Sequence, residues 1–272
     1  MTRYICTTCG VQYSEEEEPP KSCIICEDER QYVNPDGQEW TSLEKMQANP
    51  NYHNVIQKEE KNLYSIRTKD KFGIGQTAYL VQSEGFNILW DCLSLLDEAT
   101  IERVSELGGI DAIALSHPHY YSTQVEWAEA FQAPIYIHED DQEWVMRESH
   151  WINYWSGEEL KLTDYFILSR LGGHFKGGAV LNWTSGNSGK GILLSGDIIQ
   201  IVPAEGWVSF MYSYPNLIPL PASKVEAIAA DANTLHFDRI YNAFHHIIVE
   251  NGKESVQKSA DRYIKALNGE LF

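Results

Sequence analysis

The pair His117 and His119, separated only by Pro118, constrains what this chain can fold into more than any other feature of its sequence. An apolar run over residues 110–115 precedes the pair and is typical of a strand that is buried on both faces. Because Pro118 cannot donate a ladder hydrogen bond and strand side chains alternate, we expect the strand to end here with both imidazoles on one side. Two imidazoles so placed can share one cation, although hydrogen-bonded histidines at a strand edge fit the same pattern.

The segments around this pair predict alternating strands and helices. We expect Ser122 to be the N-cap of a helix that runs to Phe131, followed by a strand over 134–137. His138 ends that strand, and we expect it and the acidic residues 139–141 to be solvated. The other predicted elements are strands between 55 and 90, a helix over 97–107, outer helices over 223–235 and 255–267, and a strand over 238–244.

Two Cys-x-x-Cys pairs open the chain, formed by Cys6 with Cys9 and by Cys23 with Cys26. Four thiolates at this spacing can surround one ion tetrahedrally. The first pair, with Gly10 after it, resembles the knuckle of rubredoxin and of rubredoxin-like zinc ribbons. We expect structural zinc rather than redox iron, with two disulfides as the alternative.

A polar, turn-rich stretch over 33–54 separates these cysteines from the longer apolar part of the chain. Within it, the residues from Thr41 to Glu44 have the form of a capping box and predict one short helix. We therefore expect a zinc ribbon over 1–32, a connector over 33–54 and a large domain over 55–272.

The chain has 272 residues, 43% of them hydrophobic, and a net charge of −18. Nucleic acids and anionic membranes are bound through lysine and arginine, so this charge argues against both as partners. No apolar run approaches the roughly 20 residues that span a bilayer, and the first residues lack the apolar core of a signal peptide. We expect a cytoplasmic protein whose partner is a small-molecule substrate.

Two further positions suit a metal ion. His174 follows two glycines between strand-like segments, and Asp197 follows an apolar strand that ends in Ser-Gly. Glycines allow close approach of the backbone, and a carboxylate at a strand end can point into a cleft. Taken singly, His174 also fits a loop histidine and Asp197 a turn residue.

The order of these elements, His-x-His, Gly-Gly-His and then Ser-Gly-Asp, resembles the metallo-β-lactamase superfamily. The resemblance covers roughly residues 63–272 and implies an α+β fold, a four-layer αββα sandwich. It also implies that His117, His119 and His174 bind a first metal ion and that Asp197 is the bridging carboxylate.

The departure from the family's pattern concerns the second metal ion. Family hydrolases carry His-x-His-x-Asp-His, whereas here Tyr121 takes the place of the aspartate and Ser122 that of the last histidine. Neither a neutral phenol nor a hydroxyl replaces such ligands well, so we expect one ion in the cleft, zinc or iron. By the resemblance, the family's late histidine would correspond to His245 or His246, but either residue also fits a strand histidine that binds no metal, and the sequence does not decide.

These features predict a metal-dependent hydrolase with one zinc ion, acting on an ester, thioester or amide. Asp197 would orient the attacking water or accept a proton, and Tyr120 or Tyr121 would donate a hydrogen bond to the developing oxyanion. One alternative is a mononuclear iron oxidoreductase resembling the persulfide dioxygenases of the same superfamily. The other is a binding protein of this fold that has lost catalysis.

Overall fold

The computed structural model describes all 272 residues, which form two compact units. The first comprises Met1–Ile137 and Gln142–Tyr154, and the second His138–Asp141 and Trp155–Phe272. None of the helices has both the length and the apolar character needed to cross a membrane.

The first unit holds a three-stranded sheet and a seven-stranded sheet. The strands in this part of the chain are β1 (Thr2–Cys6), β2 (Gln12–Glu16), β3 (Trp40–Thr41), β4 (His53–Glu60), β5 (Leu63–Lys69), β6 (Ala78–Ser83), β7 (Phe86–Trp90), β8 (Ala112–Ala114), β9 (Ile135–His138) and β10 (Ile152–Trp155). The helices are α1 (Ile24–Glu27), α2 (Leu43–Ala48), α3 (Glu98–Glu106) and α4 (Gln124–Phe131), with 3₁₀ helices at Pro118–Tyr120 and Glu139–Trp144.

The seven-stranded sheet has the order β10-β9-β8-β7-β6-β5-β4. Strands β4 to β7 pair antiparallel, whereas β7, β8 and β9 run parallel, because α3 and α4 form the crossovers between them. The register places Trp90 opposite Ala114. Parallel strands end at the same edge of a sheet, so the residues that follow β7 and β8 lie side by side.

Two helix starts differ from the sequence prediction by one residue each. The N-cap of α2 is Ser42, whose side chain accepts a hydrogen bond from the Lys45 amide, and not Thr41. The N-cap position of α4 is Thr123 rather than Ser122. Ser122 has a φ of 46°, and its side chain bonds to other parts of the unit, so it cannot cap the helix.

The second unit is built on a six-stranded sheet of order β11-β12-β13-β14-β19-β20. Its strands are β11 (Glu159–Lys161), β12 (Phe166–Arg170), β13 (Ala179–Trp183), β14 (Ile192–Leu194), β15 (Gln200–Ile201), β16 (Val208–Ser209), β17 (Met211–Ser213), β18 (Ile218–Pro219), β19 (Arg239–Tyr241) and β20 (Ile247–Ile248). Its helices are α5 (Gly186–Gly189), α6 (Ala222–Thr234) and α7 (Gly252–Leu267). The two long helices, α6 and α7, bury apolar faces in one core cluster with β14 and β19.

Removal of a core side chain in the first unit should be far more costly than removal of an exposed one. Leu89 in β7 is 0% exposed, whereas Leu217 is 77% exposed. Leu89→Ala should lower the free energy of unfolding by about 2–5 kcal/mol because it leaves a cavity. Leu217→Ala should change it by less than about 0.5 kcal/mol. Urea unfolding followed by circular dichroism measures both, and equal losses would contradict this account of the core.

Candidate metal centres

Four cysteine thiols converge in the first unit. Sulfur atoms lie 3.7 Å apart in Cys6 and Cys26 and 3.6 Å apart in Cys9 and Cys23. These separations far exceed a disulfide bond of about 2.05 Å, and the thiols are free, so the alternative of two disulfides is wrong. A tetrahedral ion with metal–sulfur bonds of about 2.3 Å requires sulfurs about 3.8 Å apart. The cluster therefore fits a four-thiolate ion.

The surroundings of these thiols also favour a cation. Tyr13 donates its hydroxyl to the Cys23 sulfur at 3.3 Å, and Gln38 donates its side-chain amide to the Cys6 sulfur at 3.3 Å. Hydrogen bonds from Cys23 and Cys26 hold the pKa of Cys6 far below its usual range, whereas burial raises the pKa of Cys9 well above it. Without a cation, four thiols this close cannot all ionise, and a divalent ion removes that conflict.

A second group of four ligand atoms comes from His117, His119, His174 and Asp197. These atoms all lie within 4.8 Å of one another. None of the four residues is more than 5% exposed. Imidazole and carboxylate groups are mostly at the protein surface unless they are paired or coordinate a metal, so their collection at one buried point fits a metal site.

The two neighbouring histidines are brought together by a turn and not by strand alternation. Strand β8 already ends at Ala114, and His117 has extended backbone with a φ of −172°. The 3₁₀ helix Pro118–Tyr120 then turns the chain, so that the rings of His117 and His119 lie 5.1 Å apart between centroids at 71° to each other. The predicted strand end at this pair is wrong by about three residues, although the predicted proximity of the rings is correct.

A hydrogen-bond chain orients His117. The Asp91 carboxylate accepts the backbone N–H of Ser116 at 2.8 Å and its hydroxyl at 3.0 Å. Since the hydroxyl proton goes to Asp91, the Ser116 oxygen accepts from Nδ1 of His117 at 2.9 Å. This assigns the proton to Nδ1 and leaves the Nε2 lone pair for a metal, which is how carboxylates and hydroxyls commonly support metal-bound histidines.

His174 is oriented in the same way. Its Nδ1 lies 2.8 Å from the backbone carbonyl of Tyr212, which can only accept a hydrogen bond. The proton is therefore on Nδ1, and Nε2 is again the ligand atom. The preceding Gly173 has a φ of 84°, and a side chain there would meet Ile228 at 2.6 Å, so the turn that presents His174 requires glycine.

Asp197 lies three residues beyond the end of β14, and two hydroxyls hold the backbone of residues 197–199. Ser195 donates its hydroxyl to the carbonyl of Ile199 at 2.7 Å. Tyr214 donates its hydroxyl to the carbonyl of Asp197 at 2.9 Å. Burial raises the pKa of Tyr214 well above its usual range, which keeps the phenol protonated as a donor. The same ring lies 5.7 Å from that of His174.

Tyr121 and Ser122, which depart from the family pattern, do not contribute to this group of ligand atoms. Tyr121 is 1% exposed and belongs to the core cluster of the first unit with Val125 and Leu115. The Ser122 hydroxyl accepts from Gln76 at 3.0 Å and lies 3.3 Å from the carbonyl of Cys92. Neither residue belongs to the group of ligand atoms.

The two tyrosines predicted as oxyanion donors are both deeply buried. Tyr120 is 0% exposed, and its ring packs against that of His117 with centroids 4.3 Å apart. Tyr121 packs in the apolar core. Both rings thus pack near the histidine pair, and the hydrogen bond to a developing oxyanion stays a prediction for Tyr120 or Tyr121.

Other histidines lie apart from this group. His245 has a φ of 59° and His246 is exposed, and neither belongs to the group.

His138 is 3% exposed, accepts from the Asp140 amide at 3.2 Å and donates to the carbonyl of Gly157 at 3.0 Å. Asp141 is 2% exposed and accepts the Gly177 amide at 2.9 Å. The predicted solvation of His138 and Asp141 is wrong, because both side chains are buried and hydrogen-bonded to backbone groups.

Comparison with known proteins links this geometry to a family. The family model described as the Metallo-beta-lactamase superfamily matches residues 73–217, which is more than half of the chain. The "Uncharacterized protein YmaE" of Bacillus subtilis (strain 168) is 65% identical over 272 residues, covering 100% of this chain and 99% of its own length.

Solved structures show the same fold at low identity. The metallo-beta-lactamase FIM-1 from Pseudomonas aeruginosa, in a mono-zinc form, is 15% identical with a TM-score of 0.57, over 77% of this chain and 95% of its own. TTHA1623, in a di-iron-bound form, is 19% identical with a TM-score of 0.50, over 67% of this chain and 93% of its own. These likenesses confirm the fold class predicted from the sequence.

The Ser116 hydroxyl should be necessary for tight metal binding at the histidines. Ser116→Ala removes the group that orients His117, so the affinity of this site for zinc should fall about 10–100-fold. Ser169→Ala is the matched control, since Ser169 is 2% exposed and its hydroxyl has no hydrogen-bond partner. Competition with a zinc chelator measures the affinity. Equal affinity in the two variants would show that the Asp91–Ser116–His117 chain does not support the site.

Proposed function

Because the chain belongs to the metallo-β-lactamase superfamily, we propose that it is a metal-dependent hydrolase with one ion bound by His117, His119, His174 and Asp197. The substrate class that we propose is an ester, a thioester or an amide. The observation that carries the proposal is the group of four buried ligand atoms within 4.8 Å of one another.

Three imidazoles and one carboxylate suit zinc, and imidazole also suits iron. We propose zinc, and one protein of the same fold has been solved in a mono-zinc form. Another has been solved in a di-iron-bound form, so the choice between the metals requires an assay on this protein. For the cysteine cluster we propose structural zinc, which four thiolates bind tightly.

We propose a single ion in the histidine site because Tyr121 and Ser122, at the positions of the family's second-ion ligands, make other contacts. The phenol of Tyr121 is packed among apolar side chains, and the Ser122 hydroxyl bonds within the same unit. To become a ligand, either side chain would have to leave these contacts. His245 and His246 lie outside the ligand group as well.

When bound, such an ion polarises a substrate carbonyl and lowers the pKa of a water ligand towards about 7. The chain's own residues prepare the site for it. Ser116 and the Tyr212 carbonyl hold His117 and His174 as the Nδ1–H tautomers, so both present Nε2. Asp197 has two carboxylate oxygens, and one can bind the ion while the other accepts a proton from the attacking water. We therefore propose Asp197 as a catalytic residue, with Tyr120 or Tyr121 as the donor of a hydrogen bond to the developing oxyanion.

The proposed substrate is a small molecule in the cytoplasm. The net charge of −18 favours neutral or cationic substrates and disfavours long polyanions, since like charges repel as they approach.

Metal analysis should find two ions per chain in the unaltered protein. The double substitution of His117 and His119 by alanine should reduce this to one, because the thiolate site is separate. Alanine substitution of the exposed His53 and His150 is the matched control and should leave two. Plasma mass spectrometry gives both the count and the element. An unchanged count in the first double variant would refute the proposed site.

Activity should depend on the same pair. A panel of chromogenic esters, thioesters and amides should reveal hydrolysis by the unaltered protein that falls at least 100-fold when His117 and His119 are replaced. The control lacking His53 and His150 should keep full activity. Oxygen uptake with a thiol persulfide by protein carrying iron would instead support the oxidoreductase alternative. Full metal loading with neither activity would support a binding protein.

A further inference from the structure

The cysteine ribbon is hydrogen-bonded directly to the loop that carries the histidine pair. The backbone N–H of Gln12, at the start of β2, donates to the carbonyl of Ser122 at 3.0 Å. Ser122 lies three residues after His119 and has a left-handed φ of 46°, which a residue other than glycine adopts only when its surroundings hold it there. The ribbon therefore contacts the loop at a residue whose backbone conformation depends on its surroundings.

The Gln12 side chain adds a buried polar link to helix α4. Gln12 is 4% exposed, and its Nε2 donates to the Glu126 carboxylate at 3.2 Å. Its Oε1 accepts from Arg147 at 2.5 Å, and Arg147 also donates to Glu126 at 2.8 Å. This triad attaches the ribbon to the first turn of the helix that follows the histidine loop. Charged hydrogen bonds that are at least partly buried, as these are, are costly to break, because a partner would remain unsatisfied.

A second connection begins at the cysteine knuckle itself. The carbonyl of Gly10, the residue after Cys9, accepts the Ser94 hydroxyl at 2.7 Å. The carbonyl of Ser94 lies 3.2 Å from the hydroxyl of Thr123, which also donates to the carbonyl of Leu93 at 2.9 Å. Two independent hydrogen-bond routes thus lead from the knuckle to residues 122 and 123.

We propose that the ribbon is a positioning module for the metal-binding histidines, with Gln12 as its main positioning residue. An ion on the four cysteines fixes the knuckle over residues 6–12, the knuckle holds Ser122 and Thr123, and these hold the turn that carries His119. At position 122 the family's motif has a metal-binding histidine. This chain has Ser122 there, and its carbonyl accepts the hydrogen bond from the Gln12 backbone. The inference rests on the proposed function, because positioning matters for an ion at the histidine site.

Gln12→Ala tests the proposal. It removes both side-chain bonds, so zinc affinity at the histidine site should fall about tenfold, while the ribbon keeps its own ion. Backbone amides over 116–123 should exchange hydrogen faster. Thr7→Ala is the control, since Thr7 lies in the same ribbon and its hydroxyl bonds to the carbonyl of Glu39 rather than to the histidine loop. Chelator competition and hydrogen exchange mass spectrometry supply the two measurements.

If Gln12→Ala and Thr7→Ala match in both measurements, the proposal is overturned. If the unaltered histidine site binds no zinc, the proposed function fails, and hydrogen exchange over 116–123 alone decides the positioning role. In that case faster exchange in Gln12→Ala than in Thr7→Ala supports the positioning role, and equal exchange in the two variants overturns it.

A reversible test keeps Gln12 in place. An organomercurial displaces the ribbon's ion by binding the thiolates, and a Cys92→Ala background removes the remaining thiol. Exchange over 116–123 should accelerate on treatment and return to its first rate after excess dithiothreitol and zinc, which a general loss of folding would not do. Unchanged exchange while the ribbon ion is absent would refute the coupling.

Discussion

Burial of four polar ligand groups at one point is the constraint on which the rest of this site depends. An imidazole or carboxylate removed from water loses several kcal/mol unless it is hydrogen-bonded, paired or bound to a metal. His117, His119, His174 and Asp197 are all at least 95% buried, so the chain must hold them in orientations that satisfy them together. Ser116 and the Tyr212 carbonyl bond to Nδ1 of His117 and of His174, and the Tyr214 hydroxyl bonds to the backbone carbonyl of Asp197.

Loss of the second-ion ligands has consequences for packing as well as for chemistry. An aspartate at position 121 would place a carboxylate among the apolar side chains around Tyr121, where its charged form is disfavoured. The phenol instead contributes apolar area to the core. At position 122 a left-handed backbone and a short side chain allow the loop to receive bonds from Gln76 and Gln12. The proposed one-ion site and the contact with the ribbon thus both depend on the residues at positions 121 and 122.

Much of the fold could be predicted because its signals are local. Apolar alternation between residues 55 and 90 predicts β4 to β7, and the helical periodicity after Asp97 predicts α3, which has Asp97 as its N-cap. The ligand residues could also be chosen from the sequence, since each follows a strand or a glycine turn. The family resemblance was needed to predict that these residues come together around one ion, because their spacing in the sequence alone does not indicate it.

Features that depend on contacts distant in sequence could not be predicted. The 3₁₀ turn at Pro118–Tyr120 replaces the expected strand end, because β8 already stops at Ala114. His138 and Asp141 have polar neighbours in sequence, yet they are buried against carbonyl and amide groups of Gly157 and Gly177. Arg147 and Gln12 are 135 positions apart, so nothing in either segment indicates their bond.

The direct test of the one-ion account is anomalous diffraction from crystals at the zinc absorption edge, or at the iron edge if iron is present. With one ion at the histidines and one at the cysteines, two peaks per chain are expected. One should be surrounded by the four cysteine sulfurs at about 2.3 Å, and the other by three imidazole nitrogens and the Asp197 carboxylate at about 2.0–2.2 Å. A third peak about 3.5–4 Å from the ion at His117, as in two-metal sites, would contradict it.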